Sequence, residues 1–316
     1  MSPALSAAVP LFAGLGAVLL LASTVGALLK HAVARGRPHA GIDNLVQRVN
    51  AWWVMVGAMG LAFVFGKTGV VLLFAGVSVA ALREFVRVLD TGPADRPALA
   101  FGFLVVLPLQ YGGVWMGWHG VMTAVVPLLV LLALPIVAAW TAGGTQRYLE
   151  RVSRLQWGLL SCVFCISHVP ALITLEPPAA GQEVHPLLLV AFLVIVVQGS
   201  DVLQYIFGKL VGRHPVAPVL SPSKTWEGLI GGVAGATALG AALHGLTPFA
   251  PLPAAGLACV LCVMGFLGGL VMSAIKRDRG IKDWGALIRG HGGVLDRVDS
   301  LVFAAPVCFH LVRWLS

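Results

Sequence analysis

Long apolar runs alternate along this chain with short connections that carry nearly all of its charge. The runs fall near residues 11–29, 51–66, 69–86, 98–112, 120–140, 155–175, 186–207, 227–246, 254–274 and 300–315, and the connections between them hold charged residues or Pro and Gly. A helix needs about 20 apolar residues to cross a bilayer. The pattern therefore predicts an all-α, polytopic integral membrane protein with about ten transmembrane helices. The runs near 51 and 69 share only the turn Gly66-Lys67-Thr68, and the last run is short, so the expected range is eight to ten.

Composition agrees with this reading. Hydrophobic residues make up 58% of the chain, charged residues 11%, and the mean hydropathy is +0.91, whereas soluble domains carry about a quarter of charged residues. With 316 residues, ten spans and their connections leave no room for a sizeable soluble domain. The net charge of +8 does not point to nucleic acid, because on a mostly buried chain the basic residues gather on a few loops and face anionic lipid or phosphate ligands. Their placement is one-sided: when the spans alternate in direction, 19 of the 21 Lys and Arg fall on one face, and the other holds only Lys67 and Arg313. The positive-inside rule makes the crowded face cytoplasmic. The opposite connections, around Gly113–Gly120, Glu176–Pro186 and Thr247–Pro253, read as plain exterior turns.

The run at 11–29 has no charged residue before it and no small-residue cleavage site, so it is expected to be a retained span. Cys162/Cys165 and Cys259/Cys262 form two Cys-x-x-Cys pairs, but both lie inside apolar runs, where a site of deprotonated thiolates is disfavoured. They read as small apolar residues. Gly228/Gly232, Gly231/Gly235 and Gly265/Gly269 are spaced four apart, a pattern that lets helices approach closely and would hold the flanking cytoplasmic loops near each other.

The chemistry concentrates in two places. Residues 273–299 hold six basic and four acidic residues, in a chain that has few of either. Topology alone would call for Lys and Arg and would gain nothing from Asp278, Asp283, Asp296 and Asp299. A metal-bound polyphosphate needs both signs: carboxylates ligate Mg²⁺, and Lys and Arg neutralise the remaining phosphate oxygens. Asp296 and Asp299 are spaced to share a helix face. Gly290, Gly292 and Gly293 around His291 free the backbone to approach phosphates. The second place begins at Asp201, which closes an apolar run, and continues through Tyr205 and Lys209 to Ser221-Pro222-Ser223-Lys224-Thr225-Trp226-Glu227-Gly228. Helix capping by Ser221 or Thr225, with Glu227 in the first turn, accounts for part of this block. Lys224 at a helix N-terminus opposes the helix dipole unless an anion sits there.

At these two segments the sequence resembles the CDP-diacylglycerol synthase (phosphatidate cytidylyltransferase) family. The family motif is matched by Ser273, Lys276, Arg277, Lys282, Asp283, Gly285, His291, Gly292, Gly293, Asp296, Arg297 and Asp299, in the same order. The block at 221–228 is similar to a second family element. The resemblance departs at Arg289, where the family has proline, glycine or serine, and at Asp201-Val202-Leu203-Gln204-Tyr205, where it has Asp-Thr-Gly-Ala-Tyr; the chain resembles a divergent paralogue.

The resemblance implies that CTP and phosphatidate, or a related lipid phosphate, give CDP-diacylglycerol and pyrophosphate, at a site facing the cytoplasm across a bacterial inner membrane. It implies a division into N-terminal helices (1–180) and a C-terminal catalytic region (181–316) whose cytosolic loops are 208–226 and 275–299. Asp283, Asp296, Asp299 and Asp201 are the expected ligands of Mg²⁺, with room for a second, monovalent or divalent, cation. Asp283, Lys276, Lys282, Arg297 and His291 are the expected catalytic residues, His291 as a hydrogen-bonding partner within the loop rather than a base. Ser221, Lys224, Arg277, Gly292 and Gly293 are expected to bind substrate. Membrane lipids are the other expected partners, and a homodimer stays open.

Weaker signals are set aside. Gly66-Lys67-Thr68 ends like a phosphate-binding P-loop, but the required earlier glycine is Leu61. His119, His168, His244 and His310 read as packed or interfacial, and Arg83-Glu84 as a membrane-boundary pair that could line a lipid entrance. Two rival functions remain: a CTP-dependent lipid kinase, which would release CDP, and a transporter, which has no need for Lys, Arg, Asp and Gly gathered in one loop.

Overall fold

A chain in hydrocarbon has no water for its N–H and C=O groups and must satisfy them within each segment; accordingly, every apolar run is helical. The computed structural model describes residues 3–33, 37, 39–140, 146–176, 184–285 and 292–315. Its helices are α1 (Pro3–Ala32), α2 (Ala40–Val64), α3 (Gly66–Val88), α4 (Pro93–Met116), α5 (Val121–Trp140), α6 (Tyr148–Thr174), α7 (Pro186–Leu210), α8 (Trp226–Ala242), α9 (Pro251–Asp278) and α10 (Leu295–Leu315). Among the described residues, eight of these are long and apolar enough to cross a membrane. The other two are α8, with 17 residues, and α2, which carries Asp43 and Arg48. The protein is thus a polytopic integral membrane protein, as the hydropathy pattern predicts. Between α7 and α8 lies a small antiparallel hairpin, β1 (Pro215–Ala217) and β2 (Ser221–Thr225).

Two helices, α4 and α5, widen to accommodate interior prolines. Pro108, Pro127 and Pro135 each follow a widened π-type turn, at Gly102–Val106, Val121–Val125 and Leu129–Ala133. A proline ring collides with the carbonyl four residues earlier, and in each case that carbonyl, of Leu104, Thr123 or Leu131, lies inside the widened turn, which gives it room.

The helices α7, α8, α9 and α10 pack on one another in succession, and α10 also packs on α6 and α3. The shared interior is apolar: Phe192, Leu193 and Val196 of α7, Val163 and Ile166 of α6, and Leu301, Val302 and Phe309 of α10 are buried. Two polar contacts cross between helices there. Tyr111 Oη lies 2.6 Å from Ser78 Oγ, and Gln110 Nε2 donates to Ser167 Oγ at 2.7 Å. On the outside, Leu20, Leu21 and Leu28 of α1 are more than half exposed, as a lipid-facing surface should be.

Glycine sets how closely α8 approaches α7. A Cβ on Gly232 would collide with Gln204 Cγ, one on Gly231 would lie 2.5 Å from Phe207 Cγ, and one on Gly235 would lie 2.9 Å from Leu203 Cδ1. These are the glycines spaced four apart in the sequence. They bring the end of α7 that carries Asp201 against the start of α8 that follows Lys224.

The ion pairs Lys30–Asp43, Arg151–Asp95 and Lys276–Asp296 gather at one end of the bundle, at 3.2, 2.7 and 2.8 Å. At the opposite end His119 Nε2 lies 2.8 Å from Thr174 Oγ1.

The glycine face gives a stability prediction. Gly232→Leu should destabilise the detergent-solubilised protein by about 1–3 kcal/mol, the usual cost of overpacking. Gly256→Ala, whose Cβ would meet open space, should stay within about 0.5 kcal/mol of the parent. Thermal unfolding of the two variants side by side is the check.

Candidate active site

The charged end of the bundle is built by four segments: the last turns of α7, strand β2, the end of α9 with the residues after it, and the start of α10. Thr225 caps α8, accepting the Gly228 N–H at 3.2 Å. Glu227 in the first turn reaches back to the hairpin and accepts the N–H groups of Arg213 and His214 at 3.1 and 3.2 Å. Capping therefore explains Thr225 and Glu227, and it leaves Lys224 free of that duty.

The Lys224 side chain runs inward to α9. Its ammonium sits 4.7 Å from the centre of the Phe266 ring and 3.5 Å from the Phe266 carbonyl oxygen. A Cβ on Gly269 would come within 3.0 Å of it, so the glycine vacates the space that Lys224 occupies. Burial pushes the Lys224 ammonium below the ordinary lysine range, and the charges of Asp201 and Asp299 oppose that shift. Asp201 and Asp299 in turn lie near enough for each other's charge to be felt, and Ser300 is within hydrogen-bonding reach of Asp201.

Lys276 joins this group to the rest of the loop. It is buried at the end of α9, with its ammonium 2.8 Å from Asp296 Oδ1 and 3.9 Å from Asp299 Oδ2. Asp296 is almost fully engaged by the protein itself. Its other oxygen, Oδ2, accepts the backbone N–H of Trp284 at 2.8 Å and of Gly293 at 2.9 Å. Gly292 has a positive φ of 78°, and a Cβ there would lie 2.6 Å from Asp296 Oδ2 and 3.2 Å from Asp283 Cβ. Only glycine suits that position. Arg297 is half-buried, with Asp296, Asp299 and Asp283 all close enough to act on its guanidinium, and its carbonyl accepts from Gln198 Nε2 at 3.2 Å.

Lys224, Asp201, Asp299, Lys276, Asp296, Gly292, Gly293 and Arg297 thus form one continuous cluster, bordered by the exposed Asp283. Other candidates stand further out. Lys282 is exposed, Arg277 is exposed and donates to the Ile281 carbonyl at 2.9 Å, and Ser221 begins β2 opposite Ala217. His291 and Arg289 lie outside the described residues. Among the described residues no three His, Cys, Asp or Glu side chains converge as a group able to hold one ion, so the four expected carboxylates are not gathered around a single point. They divide instead. Asp296 binds the N–H groups of Trp284 and Gly293 and pairs with Lys276, while Asp299 lies within the charge of Lys276 and Lys224, and Asp201 within that of Asp299 and Lys224.

The two departures at Leu203 and Gln204 also have a place. Leu203 packs on Gly235, and Gln204 packs on Gly228 and Gly232. These residues serve the contact between α7 and α8.

Glu84 has a role that its sequence context did not reveal. It lies near the end of α3 but is buried against protein rather than turned outward, and its carboxylate accepts the N–H groups of Val294 and Leu295, each at 2.9 Å. The neighbouring Phe85 stacks on Trp284, ring centres 5.3 Å apart. The available signal was the charge itself, an acidic residue inside an apolar helix; its partners lie more than two hundred residues away in sequence.

Comparison with known proteins adds three findings. The family model described as "Cytidylyltransferase family" matches residues 46–315. The chain is 34% identical over 305 residues to an Escherichia coli (strain K12) protein described as "Uncharacterized protein YnbB", covering 96% of this chain and 97% of that one. It is 31% identical over 251 residues to the phosphatidate cytidylyltransferase of Staphylococcus aureus (strain COL), covering 76% and 89% of the two chains, and 32% identical over 300 residues to that of Mycobacterium leprae (strain TN), covering 89% and 91%.

The geometry of the buried pair yields a prediction. Lys276→Met leaves the Asp296 carboxylate without its cation and should cost about 3–5 kcal/mol of stability. The double variant Lys276→Met/Asp296→Asn should lose less than the sum of the single variants, with a coupling of about 1–3 kcal/mol. Denaturation of the four proteins measures it, and additive losses would show that the pair is not coupled.

Proposed function

This chain belongs to the cytidylyltransferase family, and on that footing we propose that it transfers CMP from CTP to phosphatidate or a related lipid phosphate. The products are CDP-diacylglycerol, or the corresponding CDP-lipid, and pyrophosphate. The observation that carries this reading is the mixed-charge cluster, in which Lys224 from one loop and Lys276, Asp299 and Arg297 from the other meet at one end of a membrane bundle. The family makes the chain a nucleotidyltransferase. The phosphatidate cytidylyltransferases among its relatives support the lipid acceptor, and the uncharacterized relative leaves the acyl preference to experiment.

In the reaction proposed, an oxygen of the lipid phosphate attacks the α-phosphorus of CTP in line with the leaving pyrophosphate. One P–O bond forms and one breaks, and no external base is required, because a phosphate monoester is already largely ionised near neutral pH. Catalysis then rests on positioning and charge neutralisation. Lys224, Lys276 and Arg297 would take phosphate oxygens, with Lys282 and Arg277 from the exposed rim and Ser221 from the hairpin. Gly292 and Gly293 would let the backbone approach the nucleotide phosphates, with His291 as a hydrogen-bonding partner in the same turn.

The donor set suits Mg²⁺: Asp201 and Asp299 offer hard carboxylate oxygens beside a phosphate-binding cluster, and Mg²⁺ with a nucleotide commonly uses one or two carboxylates. Asp201 and Asp299 would hold it, with Asp283 at the border and Asp296 as their organiser. When bound, the ion supplies neutralisation of polyphosphate charge. A second cation beside Asp283 belongs to the same proposal. The charged end of the bundle faces the cytoplasm in this reading, where CTP is available, within a bacterial inner membrane.

Membranes containing the protein, given labelled CTP, Mg²⁺ and phosphatidate, should form CDP-lipid and pyrophosphate in equal amounts. Release of CDP with a phosphorylated lipid would identify a kinase instead. Asp299→Asn and Asp201→Asn should each lower the rate at least about 100-fold, the scale of a lost charge-stabilising group. EDTA should abolish activity and added Mg²⁺ restore it. Wild-type rates from either variant would remove that carboxylate from the site.

Orientation has its own check. In intact cells, a single cysteine placed at Asp278 in a chain lacking its five native cysteines should resist an impermeant thiol reagent. One placed at Gly117 should react.

A further inference from the structure

We propose that Glu84 is a positioning residue for the nucleotide loop. Its carboxylate, carried by α3 from the N-terminal helices, holds the glycine turn and the first residues of α10 in the arrangement that the reaction needs. This inference rests on the cytidylyl-transfer reading above.

A carboxylate that only marked a membrane boundary would turn toward water and headgroups. Glu84 does the opposite and is only 4% exposed. Burying a carboxylate is costly unless hydrogen bonds replace its water, and here both oxygens are engaged: Oε1 by the N–H of Val294, Oε2 by the N–H of Leu295, each at 2.9 Å. Both donors belong to the N-terminus of α10, where the first N–H groups lack partners within the helix and the dipole favours negative charge.

The loop is also shaped around this carboxylate at two further points. A Cβ on Gly285 would lie 2.8 Å from Glu84 Oε1, and one on Gly293 would collide with Oε2. Both glycines therefore let the backbone lie directly on the carboxylate. Alongside, Phe85 stacks on Trp284, whose backbone N–H goes to Asp296. The segment is thus held from two sides: Glu84 takes the N–H groups of residues 294 and 295, and Asp296 takes those of 284 and 293. Gly292 and Gly293, proposed to meet the nucleotide phosphates, sit at these clamps, with Asp283 beside Gly292.

Glu84 is not itself among the residues proposed to bind substrate, so its loss should loosen the turn without removing a charge from the cluster. Glu84→Gln keeps the shape but turns an N–H₂ group toward a backbone N–H. Gly285→Ala disturbs the same contact from the loop side. With both variants purified in detergent or nanodiscs, KM for CTP should rise at least tenfold while KM for phosphatidate stays within about twofold. A variant that merely folded less well would lose rate with both KM values unchanged.

Hydrogen exchange of peptides spanning 292–298 should be at least tenfold faster in both variants, with exchange in α7 unchanged. Unaltered exchange in that segment, or a loss confined to kcat with KM for CTP unchanged, would overturn the assignment. If the wild-type protein forms no CDP-lipid from any lipid phosphate, the reaction reading fails on that result alone. The exchange measurement still decides whether Glu84 holds the loop.

Discussion

Four backbone N–H groups around the start of α10 are taken up by two carboxylates, Glu84 and Asp296, and the rest of the charged end is arranged around that fact. A helix N-terminus always leaves N–H groups without intrahelical partners. Where the helix starts against hydrocarbon-packed neighbours rather than in open water, those groups need partners from the protein. Hydrogen bonds to a charged acceptor contribute about 1.5–3 kcal/mol each, enough to bring two buried acids to one place. Once Asp296 is there, Lys276 follows, 2.8 Å away at the end of α9, because a buried carboxylate without a cation is strongly destabilising. Lys276 then lies between Asp296 and Asp299, and the cluster extends to Asp201 and Lys224.

Glycine makes the second half of the arrangement. α8 lies so close to α7 that a Cβ on Gly232 would strike Gln204, and Gly269 leaves the volume that the Lys224 ammonium occupies. Small residues in membrane helices are usually read as packing, and that is their role here. Their packing decides where the charges go, because it brings a lysine from one loop to the carboxylates of the other. The unusual residues Leu203 and Gln204 belong to this contact, so they bear on how α7 and α8 fit and leave Asp201 in place.

The carboxylates accordingly fall into two kinds. Asp296 and Glu84 accept from the chain itself and set the shape of the loop. Asp201, Asp299 and the exposed Asp283 are the ones proposed to meet what binds there. Residues close in one sequence motif, such as Asp296 and Asp299, thus have different partners: Asp296 accepts the N–H groups of Trp284 and Gly293, and Asp299 lies by Lys276 and Lys224.

Hydropathy is a local property, so the chain by itself determined its ten helical runs, their membrane setting and the one-sided charge, and a motif read in order was enough to mark the two loops and most of the cluster. Lys224 was also legible, because a lysine at a helix start conflicts with the dipole unless something offsets it. What only the tertiary structure decided was which acid is claimed by N–H groups of a distant segment and which acids lie beside the lysines. Spacing places Asp296 and Asp299 on one helix face but says nothing of the N–H groups of Trp284 and Gly293 that claim one of them. Glu84 read as a boundary residue because its partners, Val294 and Leu295, lie far along the chain. Hydrogen bonds of that range exist only after α3 and α10 have packed, and no local pattern of residues records them.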